Sequence, residues 1–150
     1  VLAFCDKNSN FEVPDYDNST EDDKLILDHY SKHYENLIKY SDNQDVNSYI
    51  NFIVEQLFAA NKYFNDQEPW KKKSDKLRMN TIIYVALELI RKVTILLYPI
   101  IPSSSLNVLD VFDIKEDKIY FETIRNNNYL RKGLKLNNLE ILFRKIEKND

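Results

Sequence analysis

Two long segments of the chain repeat apolar residues at spacings of three and four, which is typical of amphipathic α-helices. The first begins after Thr20, whose hydroxyl suits the helix N-cap, and ends near Tyr40. The second begins at Val46 and ends before Pro69, because the residue before a proline disfavours helical geometry. The apolar stripe predicted for this second helix contains Val46, Ile50, Ile53, Leu57, Asn61 and Phe64.

A third segment is apolar on nearly all sides, which predicts a helix packed against several neighbours. It begins after Ser74 or Asp75 and ends near Tyr98. Charged residues lie near its middle, a cluster that a membrane-spanning helix rarely tolerates; they are Glu88, Arg91 and Lys92. Prolines follow it, and one of the serines 103–105 is expected to cap a short fourth helix.

The remaining segments are expected to be irregular. Residues 7–20 are polar and predict a loop, and after Asp113 the helical pattern ends. The run Ile119-Tyr120-Phe121 contains β-formers but is too short to assign. A chain of 150 residues with 43% hydrophobic residues is about the size of one domain with its own core. We therefore expect one all-α domain over 1–150, with a helical bundle over 1–112 and a C-terminal extension over 113–150.

Glycine and cysteine are too scarce for several kinds of functional site. The chain contains one glycine, Gly133, whereas phosphate-binding loops need several for tight turns and close backbone approach. It contains one cysteine, Cys5, which excludes an intrachain disulfide and a cysteine-rich zinc site within this chain. His29 and His33 lie four residues apart, but no nearby cysteine completes a ligand set. We expect no cofactor, no metal site and no catalytic constellation in this chain.

The charge is distributed unevenly along the chain. Residues 1–70 contain 14 acidic and 5 basic side chains, whereas residues 71–150 contain 10 and 16. The net charge of −3 therefore conceals a basic half that suits contact with a polyanion, although ordinary surface scatter gives the same totals.

The strongest candidate chemistry lies between the second and third helices. There, Pro69 and Trp70 are followed by three consecutive lysines, Lys71, Lys72 and Lys73. Bases of single-stranded nucleic acid stack on an exposed indole, while ammonium groups bind the phosphates. The alternative is that Trp70 packs in the core and the lysines form a solvated turn. Sequence alone leaves both interpretations open.

Asn61 is the one polar residue on the predicted stripe of the second helix. A buried amide costs free energy unless it is hydrogen-bonded. Asn61 therefore either ties its helix to a neighbouring backbone or points into a polar site near the end of the helix.

Residues 60–71 read ANKYFNDQEPWK, so that Asn61-x-Tyr63 is followed by a short polar stretch and by Pro69-Trp70. This arrangement resembles the helix-end motif in the anticodon-binding domain of bacterial-type methionyl-tRNA synthetases. The resemblance extends over nearly the whole chain.

Two further segments carry the resemblance. Residues 96–102 read LLYPIIP, similar to the Pro-x-x-Pro helix end of the family. Residues 142–147 read LFRKIE, similar to the terminal segment that packs back toward the catalytic core. The family tail commonly has prolines in this region, whereas Leu139, Ile141 and Arg144 stand here.

The resemblance implies a helical-bundle anticodon-binding domain of a class I aminoacyl-tRNA synthetase with an irregular C-terminal tail. It implies a cytoplasmic enzyme that activates methionine with ATP and Mg²⁺ and transfers it to tRNA(Met). The ATP site, and zinc where the enzyme holds it, would belong to a catalytic part outside this chain. The expected partners are tRNA(Met), through its CAU anticodon, and the enzyme's own catalytic domain, with no membrane contact.

The resemblance also implies a role for each candidate residue. Trp70 would stack on an anticodon base, Pro69 would shape the corner and contact that base, and Asn61 would support the helix end. The three lysines would meet phosphates. Two further anticodon-reading residues of the family would precede Val1, and Val1–Phe4 would be the end of their helix.

Two alternatives remain open. The chain could be the anticodon-binding domain of an isoleucyl-, valyl-, leucyl- or cysteinyl-tRNA synthetase. It could instead be a helical module that binds a protein partner, in which case binding would depend only weakly on salt.

Overall fold

The computed structural model describes residues 1–139 and 142, and their regular structure is helical. The α-helices are α1 (Leu2–Ser9), α2 (Glu21–Asp42), α3 (Val46–Gln67), α4 (Lys76–Leu97) and α5 (Pro102–Asp110). Short 3₁₀ turns occupy Pro69–Lys71, Glu116–Lys118 and Phe121–Arg125. The described residues contain no strand, and the only β-type pairing among them is an isolated bridge between Glu12 and Lys135. The predicted all-α fold is confirmed.

Helices α2, α3 and α4 begin where short polar side chains satisfy free backbone N–H groups. At the start of α2, the backbone N–H of Thr20 donates to the Asp23 carboxylate over 2.8 Å. At the start of α4, the Asp75 carboxylate accepts the N–H of Arg78 over 3.0 Å. The starts predicted for these two helices are confirmed.

Helix α4 is the centre of the bundle and packs against α2, α3 and α5. Its charged residues are buried because each has partners: Arg91 Nε donates to Glu88 over 2.7 Å, and Lys92 Nζ donates to the Ile124 carbonyl over 2.7 Å. Arg91 also donates to the Thr123 carbonyl over 3.1 Å. The Arg91 and Lys92 side chains therefore fasten the segment after α5 to the bundle by hydrogen bonds. In the described part of the chain, no helix is long and apolar enough to span a bilayer.

The apolar stripe predicted for α3 is wrong in part. Val46, Ile50 and Leu57 are exposed. The hydroxyl of Tyr49 donates to the Leu96 carbonyl over 2.8 Å, which turns a neighbouring face toward α4. The residues that α3 buries are Tyr49, Phe52, Ile53, Gln56 and Tyr63. Apolar side chains occur on two faces of this helix, so periodicity alone does not select the buried one.

Two local predictions are also wrong. The loop predicted over 7–20 begins only after Ser9, because the Ser9 hydroxyl donates to the Cys5 carbonyl over 2.9 Å and supports the last turn of α1. Helix α5 begins at Pro102 and not after one of the serines 103–105. A proline fits the first helical position, where its fixed φ is suitable and its missing N–H has no partner to lose.

The chain after α5 returns along the bundle. Gly133 adopts φ 76°, a left-handed conformation that favours glycine, and its N–H donates to the Val13 carbonyl over 2.8 Å. Leu136 N donates to the Phe11 carbonyl over 2.9 Å. Most of the tail segment 142–147, together with Ile141 and Arg144, lies outside the described residues.

Candidate nucleic-acid interface

The corner between α3 and α4 is a short, tightly bonded turn. Glu68 ends α3 in the left-handed conformation, with φ 44° and ψ 57°, and Pro69 then begins the 3₁₀ turn. The N–H of Lys71 donates to the Glu68 carbonyl over 2.9 Å, and that of Lys72 donates to the Pro69 carbonyl over 3.1 Å. Pro69 itself is buried. The corner therefore holds the residue after Pro69 in a defined place.

That residue, Trp70, lies at the surface with 42% of its area exposed. Its ring meets the ring of Phe64 edge-on, with centroids 6.1 Å apart and planes at 63°. Phe64 in turn meets Phe4 of α1 edge-on, with centroids 6.0 Å apart. Trp70 is thus supported by aromatic packing on one side while much of the indole stays accessible, which is the arrangement of a stacking platform for a base. It is not a core tryptophan.

Asn61 lies on α3, nine residues before Trp70 in the chain, and is exposed. It lines a groove between α1, α3 and α4 together with Val1 and Phe64. Its amide makes no hydrogen bond to any of the residues that the structure describes, so the structure does not show the predicted tie to a neighbouring backbone. The Asn61 amide is therefore accessible to a ligand on the part of α3 that precedes the corner.

The three lysines differ in their surroundings. Lys71 and Lys73 are exposed and Lys72 is half-buried. Lys71 Nζ lies 2.7 Å from a carboxylate oxygen of Glu68, so part of its charge is already balanced. Lys72 and Lys73 make no ion pair within the described part of the chain. They are therefore the better placed of the three to meet phosphates.

A buried polar cluster lies beneath the corner, and sequence reasoning missed it. The Arg78 guanidinium binds both carboxylate oxygens of Asp23 and also donates to Gln67 Oε1 over 2.6 Å. The Tyr63 hydroxyl donates to Asp23 over 2.6 Å. The only signal in the sequence is that Tyr63 and Gln67 both fall within the segment that carries the motif.

Electrostatics stabilise the ionised form of this cluster. Burial opposes ionisation of Asp23, but hydrogen bonds from Arg78, Thr20 and Tyr63 hold the pKa of its carboxyl below the ordinary value. Burial and the hydrogen bond to Asp23 raise the pKa of Tyr63. The cluster therefore contains a carboxylate, a guanidinium and a neutral phenol at physiological pH.

The two histidines of α2 lie away from the corner, beside the middle of α3. The rings of His29 and His33 are 4.0 Å apart, and the His29 ring stacks on Phe52 with centroids 5.7 Å apart. The described residues contain no group of three or more side chains that could hold a metal ion. The rings of both histidines pack against Phe52.

Comparison with known proteins shows which family the chain belongs to. Residues 13–150 match the family model described as the anticodon-binding domain of methionyl-tRNA ligase. The chain belongs to this family. The anticodon-binding domain predicted from the helix-end motif is therefore confirmed, and neither a different class I synthetase nor a protein-interaction module is favoured.

Individual relatives agree with this membership in the methionyl-tRNA ligase family. The methionine–tRNA ligase of Brucella suis biovar 1 is 36% identical over 124 residues, which cover 82% of this chain and 24% of the relative. That of Rickettsia felis is 30% identical over 151 residues, covering 98% of this chain and 30% of the relative. The chain thus spans about a quarter to a third of the length of these relatives.

A solved structure supports the same fold. The crystal structure of the apo form of Mycobacterium tuberculosis methionyl-tRNA synthetase superposes with a TM-score of 0.88 at 25% identity. The superposition covers 99% of this chain and 30% of that structure. The helical bundle described here is the fold of that part of the synthetase.

Proposed function

We propose that this domain reads the CAU anticodon of tRNA(Met) for a methionine–tRNA ligase of which it forms a part. The observation that carries the proposal is Trp70, an exposed indole held by a short corner in a chain of the anticodon-binding family. Stacking of a base on such a ring contributes typically about 1–3 kcal/mol. That is enough to select tRNAs whose anticodon bases turn outward toward the corner.

The neighbouring residues are proposed to complete the site. Pro69 fixes the direction in which Trp70 leaves the corner, but because it is buried it does not offer the base contact expected from the resemblance. Asn61 provides donors and an acceptor on the flank of α3 for a base edge or a sugar. Lys72 and Lys73 bind phosphates of the anticodon loop, and Lys71 joins them when it leaves Glu68.

The rest of the ligase is proposed to supply the chemistry. It would activate methionine with ATP and Mg²⁺, hold zinc where the enzyme contains it, and transfer methionine to tRNA(Met) in the cytoplasm. One glycine gives this chain no phosphate-binding loop, so we place the ATP site in the catalytic domain, which is also the structural partner of this domain. We propose that 1–112 form the reading bundle and that 113–150 form an extension of the same domain.

The test compares three variants of the full-length protein. Trp70→Ala removes the platform, Trp70→Phe keeps a smaller one, and Tyr120→Ala removes an exposed aromatic side chain far from the corner. Tyr120 is 52% exposed and lies near Pro99, just past the opposite end of α4, a helix of 22 residues or about 33 Å. Aminoacylation of tRNA(Met) is measured beside methionine-dependent ATP–pyrophosphate exchange, which needs no tRNA.

We expect Trp70→Ala to lower kcat/KM for tRNA(Met) by about 5- to 150-fold, the range that corresponds to one stacked base. Trp70→Phe should lose less, and Tyr120→Ala should lose little. Pyrophosphate exchange should be unchanged in all three. Equal aminoacylation by the wild type and Trp70→Ala would refute the proposal.

A further inference from the structure

The Asp23–Arg78 pair joins the beginnings of two helices directly under the corner. Asp23 is fully buried and the Arg78 side chain is 8% exposed. Both terminal nitrogens of Arg78 bind the Asp23 carboxylate, and the Nη2–Oδ1 distance is 3.0 Å. Such a two-point contact fixes the angle between the two side chains as well as their separation. The first turns of α2 and α4 are therefore held in one relative position.

The same guanidinium also holds the end of α3. Its Nη2 donates to Gln67 Oε1 over 2.6 Å, and Gln67 is the last residue of α3, three positions before Trp70. Tyr63, one turn earlier on α3, donates its hydroxyl to Asp23 over 2.6 Å. The helix that enters the corner and the helix that leaves it are thus bonded to one charged pair.

This arrangement leaves the corner with little freedom. Residues 68–75 are attached on the α3 side through Gln67 and on the α4 side through Arg78 itself, whose backbone N–H is bound by the Asp75 cap. A change in the direction of the guanidinium would move both ends of the corner. The position of Trp70 relative to Phe64 would change with them.

We propose that Arg78, held by Asp23 and bonded to Gln67, is the positioning residue that sets the placement of Trp70 for anticodon binding. The proposal rests on the function proposed above. Buried ion pairs add little net stability over apolar residues of similar volume, because desolvation offsets their attraction. Their advantage here is direction: a guanidinium fork keeps three helix ends in register, which an apolar contact does not.

The test uses the full-length protein and its dissociation constant for tRNA(Met). Arg78→Lys keeps the charge but loses the planar fork. Gln67→Leu removes only the hydrogen bond between Arg78 and the end of α3. Gln67→Glu, by contrast, keeps a side-chain oxygen that can accept from Arg78. Arg91→Lys is the matched control, because Arg91 also lies on α4 and forms a buried ion pair, with Glu88, away from the corner.

We expect Arg78→Lys and Gln67→Leu to weaken tRNA binding by about five- to tenfold, a part of the stacking contribution of Trp70. Gln67→Glu should bind within about twofold of the wild type, and so should Arg91→Lys, while pyrophosphate exchange is unchanged. Because Arg78 acts through Trp70, adding Arg78→Lys to Trp70→Ala should cause almost no further loss.

Three results would overturn the positioning role. One is that Arg78→Lys and Gln67→Leu bind as the wild type does while Trp70→Ala is weakened. Another is that Arg78→Lys costs as much in the Trp70→Ala background as alone. The third is that Arg91→Lys weakens binding equally. If Trp70→Ala alone has no effect, the proposed function fails instead, so the two failures are distinguishable.

Discussion

The indole of Trp70 meets the ring of Phe64 edge-on, and Phe64 is the only aromatic ring within the described residues that lies against it. This packing decides which part of the indole is covered and which part can accept a base. Since Phe64 also packs on Phe4, this chain of three rings connects the exposed platform to the body of the bundle.

Replacement of Phe64 by alanine should therefore affect both stability and tRNA binding. Phe64 is half-buried, so we expect Phe64→Ala to lower the free energy of unfolding by about 1–3 kcal/mol. The same change at a fully buried phenylalanine typically costs roughly 3–5 kcal/mol. Phe64→Leu retains apolar packing on Phe4 but offers no ring edge to Trp70. It should stay near wild-type stability yet raise KM for tRNA(Met). Unchanged KM in both variants would show that Trp70 needs no support from Phe64.

The lysines after Trp70 should contribute by binding phosphates. Changing Lys72 and Lys73 to Gln should weaken tRNA binding and reduce the slope of log K against log salt by about 0.7 for each phosphate that the variant no longer binds. Lys118→Gln, an exposed lysine beyond α5, is the control. Titrations between low and physiological salt measure the slope. A slope that is unaltered in the double variant would exclude these lysines as phosphate ligands.

Glu68 is expected to weaken binding slightly, because its carboxylate holds Lys71 at 2.7 Å. Glu68→Gln should release Lys71 and strengthen tRNA binding by about two- to fivefold, in line with the small energies of exposed ion pairs. Asp117→Asn, which loosens an exposed pair with Lys118, should change nothing. The dissociation constants of both variants check this. Weaker binding by Glu68→Gln would mean that the carboxylate itself contacts the tRNA.

Buried Lys92 should make the segment after α5 sensitive to pH. Burial, together with the neighbouring Arg91, lowers the pKa of Lys92 to about 7, whereas a lysine in the unfolded chain has a pKa of about 10.4. Between these values the open state binds more protons than the folded state. The free energy of opening should therefore rise with pH from about 7 to about 10.

Hydrogen exchange of residues 121–128, corrected for the intrinsic rate at each pH, measures this effect. Protection should increase across the window in the wild type and should increase less in Lys92→Met, which retains length but cannot titrate. The same pH dependence in the wild type and in Lys92→Met would show that Lys92 is not the titrating group.

The sequence predicts the corner well because its signals are local. Pro69 follows the end of α3, and Asp75, eight residues after the last residue of α3, caps α4. The Asp23–Arg78 pair could not be predicted in the same way, since its members are 55 residues apart and neither breaks a local pattern. In the sequence, Asp23 has the ordinary role of an acidic residue in the first turn of α2. Its ion pair with Arg78 is visible only in the folded structure.

The exposure of Trp70 also lay beyond sequence reasoning. A tryptophan after a helix-ending proline suits both a core position and a surface position, and the outcome depends on which face of α3 is buried. The buried face is the one that carries Tyr49 and Tyr63, whose hydroxyls find partners in the core, and not the predicted apolar stripe. Polar atoms on aromatic residues thus decided what hydrophobic periodicity left ambiguous.

Discrimination between anticodons is the most direct measure of whether Trp70 reads the tRNA. The full-length wild type and Trp70→Ala would each be assayed on tRNA(Met) and on the same tRNA with the CAU anticodon replaced. We expect the ratio of kcat/KM between the two tRNAs to fall by about 5- to 150-fold in Trp70→Ala, because the variant can no longer stack the base that it selects. An undiminished ratio in a folded, adenylate-forming variant would show that Trp70 does not read the anticodon.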